Sequence, residues 1–96
     1  MIRSFRDQAT RDLYDGIDSK AARRIPKAIW AVVRRKVDWL DLAREVADLA
    51  SPPGNRLEKL RGDRSGFFSI RVNDQYRLVF RFEHGNAHDV QLTDYH

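Results

Sequence analysis

The residue pattern changes sharply near the middle of this chain, and that change limits the folds open to it. Residues 6–50 are rich in helix formers and contain one Gly and one Pro, whereas residues 51–96 contain four Gly, two Pro and most of the aromatic residues. Between them, the run Ser-Pro-Pro-Gly-Asn at residues 51–55 is a strong stop signal for a helix. Helices followed by strands predict an α+β fold of packed layers.

The length and composition exclude several classes of protein. With 96 residues, the chain fits a single domain over residues 1–96. It contains no Cys, which excludes disulfides, thiolate metal sites and thiol catalysis. Its longest apolar run, Ala28–Val33, is far shorter than the ~20 residues of a membrane-spanning helix, and the opening residues lack an apolar signal stretch. We therefore expect a soluble, cytoplasmic protein without a membrane partner.

Basic residues outnumber acidic ones, and most of them are Arg. The 18 basic and 14 acidic side chains give a net charge of +4. Because Arg binds phosphate through two parallel hydrogen bonds and stays charged, the surplus favours a phosphate-rich partner such as a nucleic acid. A solvated surface without such a partner is the alternative at this point.

The first half predicts a short opening strand and two helices. We expect a strand over Ile2–Phe5 and a short helix over Asp7–Tyr14, which Gly16 ends. A long helix follows Pro26, because apolar residues recur there at spacings of three and four: Ile29, Val33, Val37 and Leu40.

The same helical pattern continues beyond this stripe. After a bend near Asp41, it runs on through Leu42, Val46 and Leu49. The basic run at residues 34–36 lies mostly off the apolar stripe.

The second half predicts an antiparallel sheet whose register can be derived. Apolar residues alternate in two runs, Phe68-Ile70-Val72 and Tyr76-Leu78-Phe80-Phe82. Paired residues must share a face of the sheet, so a three-residue loop over 73–75 must join the runs. A second turn follows at Glu83–Ala87, and a last strand at His88–Thr93.

This register sets Arg71 directly opposite Arg77 on the face away from the helices, with Arg81 further along. Residues 56–81 contain seven basic and three acidic side chains, which supports an anion site on that face. The alternative is that the guanidinium groups splay into solvent or pair with nearby acids. Two facing cations without an anion between them repel, so we expect that replacing either Arg does not lower stability.

Two further segments carry candidate chemistry. The loop Leu60–Gly66 has two Gly and two Arg that can clamp a phosphate, although a plain turn is the alternative. The chain closes with Asp94-Tyr95-His96, where His can transfer a proton, Tyr can donate one and Asp can orient an imidazole. A frayed terminus is the alternative for this triplet. His84 and His88 flank a turn, but two His without a third ligand argue against a metal site.

Several short strings of the second half occur together in a known family. They are Gly62-Asp63-Arg64, the Ser-Ile-Arg-Val-Asn run at 69–73, Tyr76-Arg77-Leu78 and the closing Asp94-Tyr95-His96. With residues 51–57, they resemble the HigB toxins, the plasmid-maintenance killer family within the RelE superfamily. The resemblance is strong over residues 51–96 and weak over 1–50, where it rests mainly on the opening Ile-Arg-Ser-Phe.

The resemblance implies a fold, an activity and partners. The fold would be RelE-like, with two helices packed on a twisted, mainly antiparallel sheet. The activity would be that of a type II toxin that cleaves mRNA in the ribosomal A site, by attack of the ribose 2′-OH on the adjacent phosphate, without a metal or cofactor. A cognate helix-turn-helix antitoxin of the HigA type would neutralise it.

The resemblance also implies roles for individual residues. The catalytic candidates are Arg61, Arg77, Asp94, Tyr95, His96 and Glu58. Some relatives carry His where this chain has Glu58, so the general base stays open among Glu58, Asp94 and His96. The basic run adds RNA-binding candidates at Arg56, Lys59, Arg64, Arg71 and Arg81. Arg64 matches the family as well, as an RNA contact or a structural residue.

Two other functions compete with cleavage. Toxins of the ParE type share the superfamily fold and bind gyrase without cutting RNA. A non-catalytic RNA-binding module would explain the positive charge equally well. Arg77 and the terminal Asp-Tyr-His favour the nuclease over both.

Overall fold

The computed structural model describes residues 1–95 and shows two helices packed on a four-stranded antiparallel sheet. The helices are α1 (Gln8–Tyr14) and α2 (Trp30–Leu42), and the strands are β1 (Glu58–Lys59), β2 (Phe67–Arg71), β3 (Tyr76–Glu83) and β4 (Asn86–Asp94). The strands lie in the order β1-β2-β3-β4. The predicted α+β class is thus confirmed. Within residues 1–95, no helix is long and apolar enough to cross a membrane.

The helices form where the sequence predicts them. Asp7 caps α1, because its carboxylate accepts a hydrogen bond from the Thr10 backbone N–H at 3.0 Å. The apolar stripe of α2 is fully buried at Val33, Val37 and Leu40, and it packs with residues of both layers in one core. Ile29, predicted as the first residue of the stripe, instead lies in a 3₁₀ turn over Lys27–Ile29 and is only partly buried. Lys36 also departs from the predicted pattern, because it lies on the buried face of α2 with 7% of its surface exposed.

The predicted continuation of α2 is wrong. The helix ends at Leu42, and Ala43 adopts an extended conformation. The Asp48 carboxylate accepts hydrogen bonds from the backbone N–H groups of Arg44 at 3.0 Å and Glu45 at 3.2 Å. These bonds cap a separate 3₁₀ turn over Val46–Ala50, so a new short element begins where the apolar pattern suggested one long helix.

The β2–β3 hairpin has the predicted register. Phe68 pairs with Phe80, Ile70 with Leu78, and Arg71 with Arg77. In the three-residue loop, the side-chain oxygen of Asn73 accepts hydrogen bonds from the backbone N–H groups of residues 75 and 76 at 2.9 and 2.7 Å. The loop is therefore fixed by its own side chain, as is typical of Asn in turns.

The β3–β4 turn is tighter than predicted. The strands extend to Glu83 and from Asn86, which leaves a two-residue turn at His84 and Gly85. Both turn residues have a positive φ, 52° at His84 and 76° at Gly85, and such turns match the right-handed twist of a hairpin. Gly adopts this conformation without strain.

The predicted opening strand over Ile2–Phe5 is wrong in extent. Only two isolated parallel bridges form, from Ile2 to Ala87 and from Phe5 to Val90. Between them, Asp89 has a positive φ of 54°, and its N–H donates to the Ser4 hydroxyl at 2.9 Å. The irregular backbone of β4 at this point interrupts the ladder that a continuous strand would need.

Candidate active site

Two neighbouring clefts on the side of the sheet that carries Arg77 contain most of the predicted site residues. The arginine cleft, about 310 Å³ in volume, is lined by Arg56, Glu58, Arg71, Asn73, Asp74, Arg77 and Tyr95. The tail cleft, about 450 Å³, is lined by Leu60, Arg61, Arg64, Thr93, Asp94 and Tyr95. Tyr95 lines both, so the two clefts meet at this residue.

Local structure explains how residues distant in sequence reach these clefts. The hairpin register directs Arg71 and Arg77 to the same face, because directly paired residues share a side of the sheet. The loop before β2 makes a 3₁₀ turn at Gly62–Arg64. Gly62 and Gly66 have φ of 66° and 88°, a conformation that favours glycine, so this loop depends on both.

Arg77 is held by hydrogen bonds to protein acceptors and is only 9% exposed. Its Nε donates to the Ser69 hydroxyl at 2.8 Å, and its Nη2 donates to the backbone oxygens of Arg56 at 2.5 Å and Ser69 at 3.3 Å. Its Nη1 lies 3.9 Å from the Glu58 carboxylate, at the limit of an ion pair. Three of the five N–H groups are thus bonded to the protein, and the other two, on Nη1, have the Glu58 carboxylate nearby.

The expectation that Arg71 and Arg77 face each other without an anion is wrong. Arg71 forms a hydrogen-bonded ion pair with Asp74, which lies three residues further on in the hairpin loop. Arg77 has Glu58 nearby and the backbone oxygens described above. Carboxylates and carbonyl dipoles therefore offset the repulsion between the two guanidinium groups.

The end of β4 is tied to the hairpin loop. The Tyr95 backbone N–H donates to the Gln75 carbonyl at 2.7 Å, and the Gln75 side chain donates to the Asp94 carboxylate at 3.0 Å. The Tyr95 side chain stays 42% exposed at the junction of the clefts. The predicted role of His96 concerns a residue outside the described part of the chain.

Two predicted RNA-binding residues lie away from both clefts. Lys59 is exposed on β1, where it pairs with Phe68 rather than with the strand positions that face the clefts. Arg81 lies four residues along β3 from Arg77, a distance of ~13 Å in an extended strand. It forms a hydrogen-bonded ion pair with Glu83 and approaches Asp89 at 3.8 Å.

Sequence reasoning missed three buried polar residues that support the site. Ser69 is fully buried, and its hydroxyl accepts a hydrogen bond from Arg77. It lies two residues before Arg71, so the strand alternation could have placed it on the same face of the sheet as Arg71. Lys36 donates to the Asn55 side-chain oxygen at 2.9 Å and to the Arg71 carbonyl at 2.6 Å. Burial, and then the neighbouring guanidinium charges, lower the pKa of Lys36. No local pattern indicates this long-range network.

The fold is shared with two solved structures of bacterial proteins. It aligns with the YoeB-YefM complex from Staphylococcus aureus at a TM-score of 0.58 and 15% identity, covering 100% of this chain and 98% of that one. It also aligns with the YoeB/ParE toxin from Agrobacterium tumefaciens at a TM-score of 0.52 and 18% identity, covering 98% and 99%. At these identities, the likeness concerns the fold.

Sequence comparison gives the family. Residues 3–96 match the family model of the HigB-like toxin, described as a RelE-like toxin of the type II toxin-antitoxin system HigB. The chain is 42% identical to Toxin HigB-1 of Vibrio cholerae over 92 residues, covering 96% of this chain and 95% of that protein. It is 30% identical to Endoribonuclease HigB of Proteus vulgaris over the full length of both. The chain therefore belongs to the HigB-like family of RelE-like type II toxins.

The contrast between the two arginines yields a stability prediction. Contrary to the expectation from the sequence, Arg77→Ala should lower stability, because it leaves the buried Ser69 hydroxyl and two carbonyl groups without their donor; we expect a loss of ~1–3 kcal/mol in the free energy of unfolding. Arg71→Ala removes a partly exposed ion pair, which is worth only ~0–1 kcal/mol. Urea unfolding measures both changes in free energy, provided that the variants and the wild type have the same m value, the slope of the free energy of unfolding against urea concentration. An Arg77→Ala protein as stable as the wild type would show that this network does not stabilise the fold.

Proposed function

We propose that this HigB-like toxin is an endoribonuclease that cleaves mRNA on the translating ribosome. The observation that carries the proposal is the hydrogen-bonded guanidinium of Arg77, a residue that lines one cleft together with Tyr95. The name of the Proteus vulgaris relative, Endoribonuclease HigB, supports it. A single RelE-like domain over residues 1–96, located in the cytoplasm where ribosomes are, would contain the whole activity.

The proposed reaction is an internal phosphoryl transfer. The ribose 2′-oxygen attacks the adjacent phosphorus, the bond to the 5′-oxygen breaks, and the products are a 2′,3′-cyclic phosphate and a free 5′-hydroxyl. One proton leaves the 2′-OH and one reaches the 5′-oxygen, so no water is consumed. Negative charge grows on the phosphate oxygens in the transition state, and donors held in place before the reaction stabilise it most effectively.

Individual residues fit the parts of this reaction. Arg77 supplies the fixed charge, and Arg61 in the adjoining tail cleft supplies a second one. Glu58, Asp94 and His96 are the groups that can accept the proton from the 2′-OH. Tyr95 lies between the clefts and can donate a proton or position the leaving oxygen. In this mechanism, these side chains carry out the reaction without a metal or a cofactor.

The other cations fit substrate positioning. Arg56, Arg64 and Arg71 line the clefts, where they can bind phosphates on either side of the scissile bond. Lys59 and Arg81 lie further out and would contact the RNA or the ribosome at longer range. The ribosome would hold the mRNA across the clefts, which supplies the positioning that a shallow site cannot supply alone.

Single-turnover cleavage of mRNA on saturating ribosomes tests the proposal. We expect the wild type to cleave only when ribosomes are present and Arg77→Ala to cleave ~10²–10³-fold more slowly, as for the loss of one charge-stabilising donor. Ribosome binding should change much less. The assay runs at a temperature where both proteins are folded.

The matched variant Arg71→Ala separates binding from chemistry. It should weaken ribosome binding and reduce the salt slope by about 0.7 for a lost phosphate contact on a single strand. If Arg77→Ala cleaves at the wild-type rate once bound, Arg77 has no catalytic role. If the wild type leaves mRNA intact and blocks gyrase supercoiling, the protein is a ParE-like toxin; RNA binding without cleavage would identify a binding module.

His96 yields a separate prediction that rests on the family match. Deleting His96 should abolish growth arrest while the thermal melt stays close to that of the wild type, because a terminal residue contributes little to the core. Growth arrest upon induction and a melting curve of the purified variant measure the two effects. Full toxicity of the truncated protein would exclude a functional role for His96.

We further propose that the neutralising partner is a HigA-type helix-turn-helix antitoxin that contacts the helical half. The family description supports an antitoxin partner, and so does the toxin–antitoxin complex of similar fold. A groove of about 380 Å³ lies at the end of α2, lined in part by Trp39 and Leu42, and Leu42 is 76% exposed. Arg35 stacks over the Trp39 ring at 5.7 Å, which places a cation beside this apolar surface.

Hydrogen exchange tests this surface. On binding of the antitoxin, we expect slower amide exchange within residues 20–50, because their N–H groups become shielded from water. The β2–β3 hairpin serves as the internal comparison. Protection confined to the hairpin or the clefts, with residues 20–50 unchanged, would place the antitoxin elsewhere.

A further inference from the structure

A buried lysine and a buried asparagine outside the clefts form a network that reaches Arg71 and Arg77. Lys36 is 7% exposed and Asn55 is fully buried. The Lys36 ammonium donates to the Asn55 side-chain oxygen at 2.9 Å and to the Arg71 carbonyl at 2.6 Å. Within residues 1–95, no carboxylate forms a salt bridge with it. Burying an unpaired ammonium costs free energy, so core packing alone would favour an apolar side chain here.

Asn55 connects this lysine to Arg77. Its amide nitrogen donates to the backbone oxygens of Leu49 at 3.1 Å and Ser51 at 3.3 Å, which fixes the turn that precedes Arg56. Arg56 has a φ of 45°, an uncommon backbone conformation for a residue other than Gly. The carbonyl of this residue accepts the 2.5 Å hydrogen bond from Nη2 of Arg77. The direction of that acceptor therefore depends on the turn that Asn55 holds.

The other branch reaches Arg71 directly. Lys36 donates to the carbonyl of Arg71, the last residue of β2, so one ammonium joins α2 both to the Asn55 side chain and to the backbone of β2. We propose that Lys36, acting through Asn55, is a positioning residue that orients Arg77 and Arg71 toward the phosphate without contacting RNA itself. The inference rests on the proposed function, because the phosphate belongs to the RNA substrate. The effect of Lys36 on Arg77 can nevertheless be measured in the free protein.

An NMR measurement on the free toxin tests the positioning role. Lys36→Met removes the charge and the donors but keeps the length of the side chain, and Lys20→Met at an exposed position is the control. The Nε–H signal of Arg77 reports its hydrogen bond to Ser69. We expect this signal to shift and to exchange faster with solvent in Lys36→Met, and to stay as in the wild type in Lys20→Met.

An unchanged Arg77 signal in Lys36→Met would overturn the proposal. If Lys36→Met does not fold, Lys36→Gln, which keeps a shorter donor, is read by the same criterion. Neither variant requires RNA cleavage for its readout, so this result stands whether or not the protein is a ribonuclease.

Single-turnover cleavage on saturating ribosomes provides the second test. We expect Lys36→Met to lower the rate by up to ~10²-fold with ribosome affinity unchanged, as for a misplaced catalytic group. In an Arg77→Ala background, the same substitution should lower the rate little further, because residues that act through one group are not additive. Equal losses in both backgrounds would overturn the proposed coupling. A wild type that does not cleave would instead contradict the proposed function.

Discussion

The burial of the Arg77 guanidinium imposes a constraint on several parts of the molecule at once. A charged group that is 9% exposed needs acceptors, and here they come from β2 and from the turn that precedes β1. Ser69 must therefore lie across the ladder from β3, and the Arg56 carbonyl must point inward. The hairpin register, the turn and the arginine cleft are consequently positioned together, which favours a site that is ordered before the substrate arrives.

The positive charge of the site is balanced unevenly, and this separates two kinds of arginine. Neutral acceptors hold the orientation of Arg77, while the Glu58 carboxylate lies 3.9 Å from its Nη1, at the limit of an ion pair. Arg71 is paired with the fully solvated Asp74, so a phosphate can replace that carboxylate at little cost. A fixed charge and an exchangeable one suit a nuclease that must hold a transition state and also bind and release RNA.

The sequence predicted the hairpin correctly because its information is local. Alternation at Phe68, Ile70, Leu78 and Phe80 defines a core face, and a shift by one residue would expose it. The placement of Arg71 opposite Arg77 follows directly. The alternating apolar pattern of each strand spans only a few residues, so the register can be predicted without knowledge of distant contacts.

The errors have a common physical origin in polar contacts, some of them local and others between residues far apart in the sequence. The end of α2 depends on Asp48 binding backbone groups three and four residues before it, which competes with an apolar pattern that continues unchanged. The burial of Lys36 depends on Asn55 and Arg71, 19 and 35 residues away. The prediction that Arg71 and Arg77 repel each other failed for the same reason, because it did not include the groups that each guanidinium binds. Hydrophobic periodicity does not encode such polar partners.

The central claim is that a fixed cation stabilises attack by the ribose 2′-oxygen, and one substitution in the substrate tests it directly. An mRNA with a single 2′-deoxynucleotide at the cleaved position removes the nucleophile and leaves the base and the phosphate in place. On programmed ribosomes, we expect the wild-type toxin to cut the all-ribose mRNA to a 2′,3′-cyclic phosphate and to leave the deoxy-substituted bond intact. Cleavage of the substituted bond at an undiminished rate would contradict the mechanism.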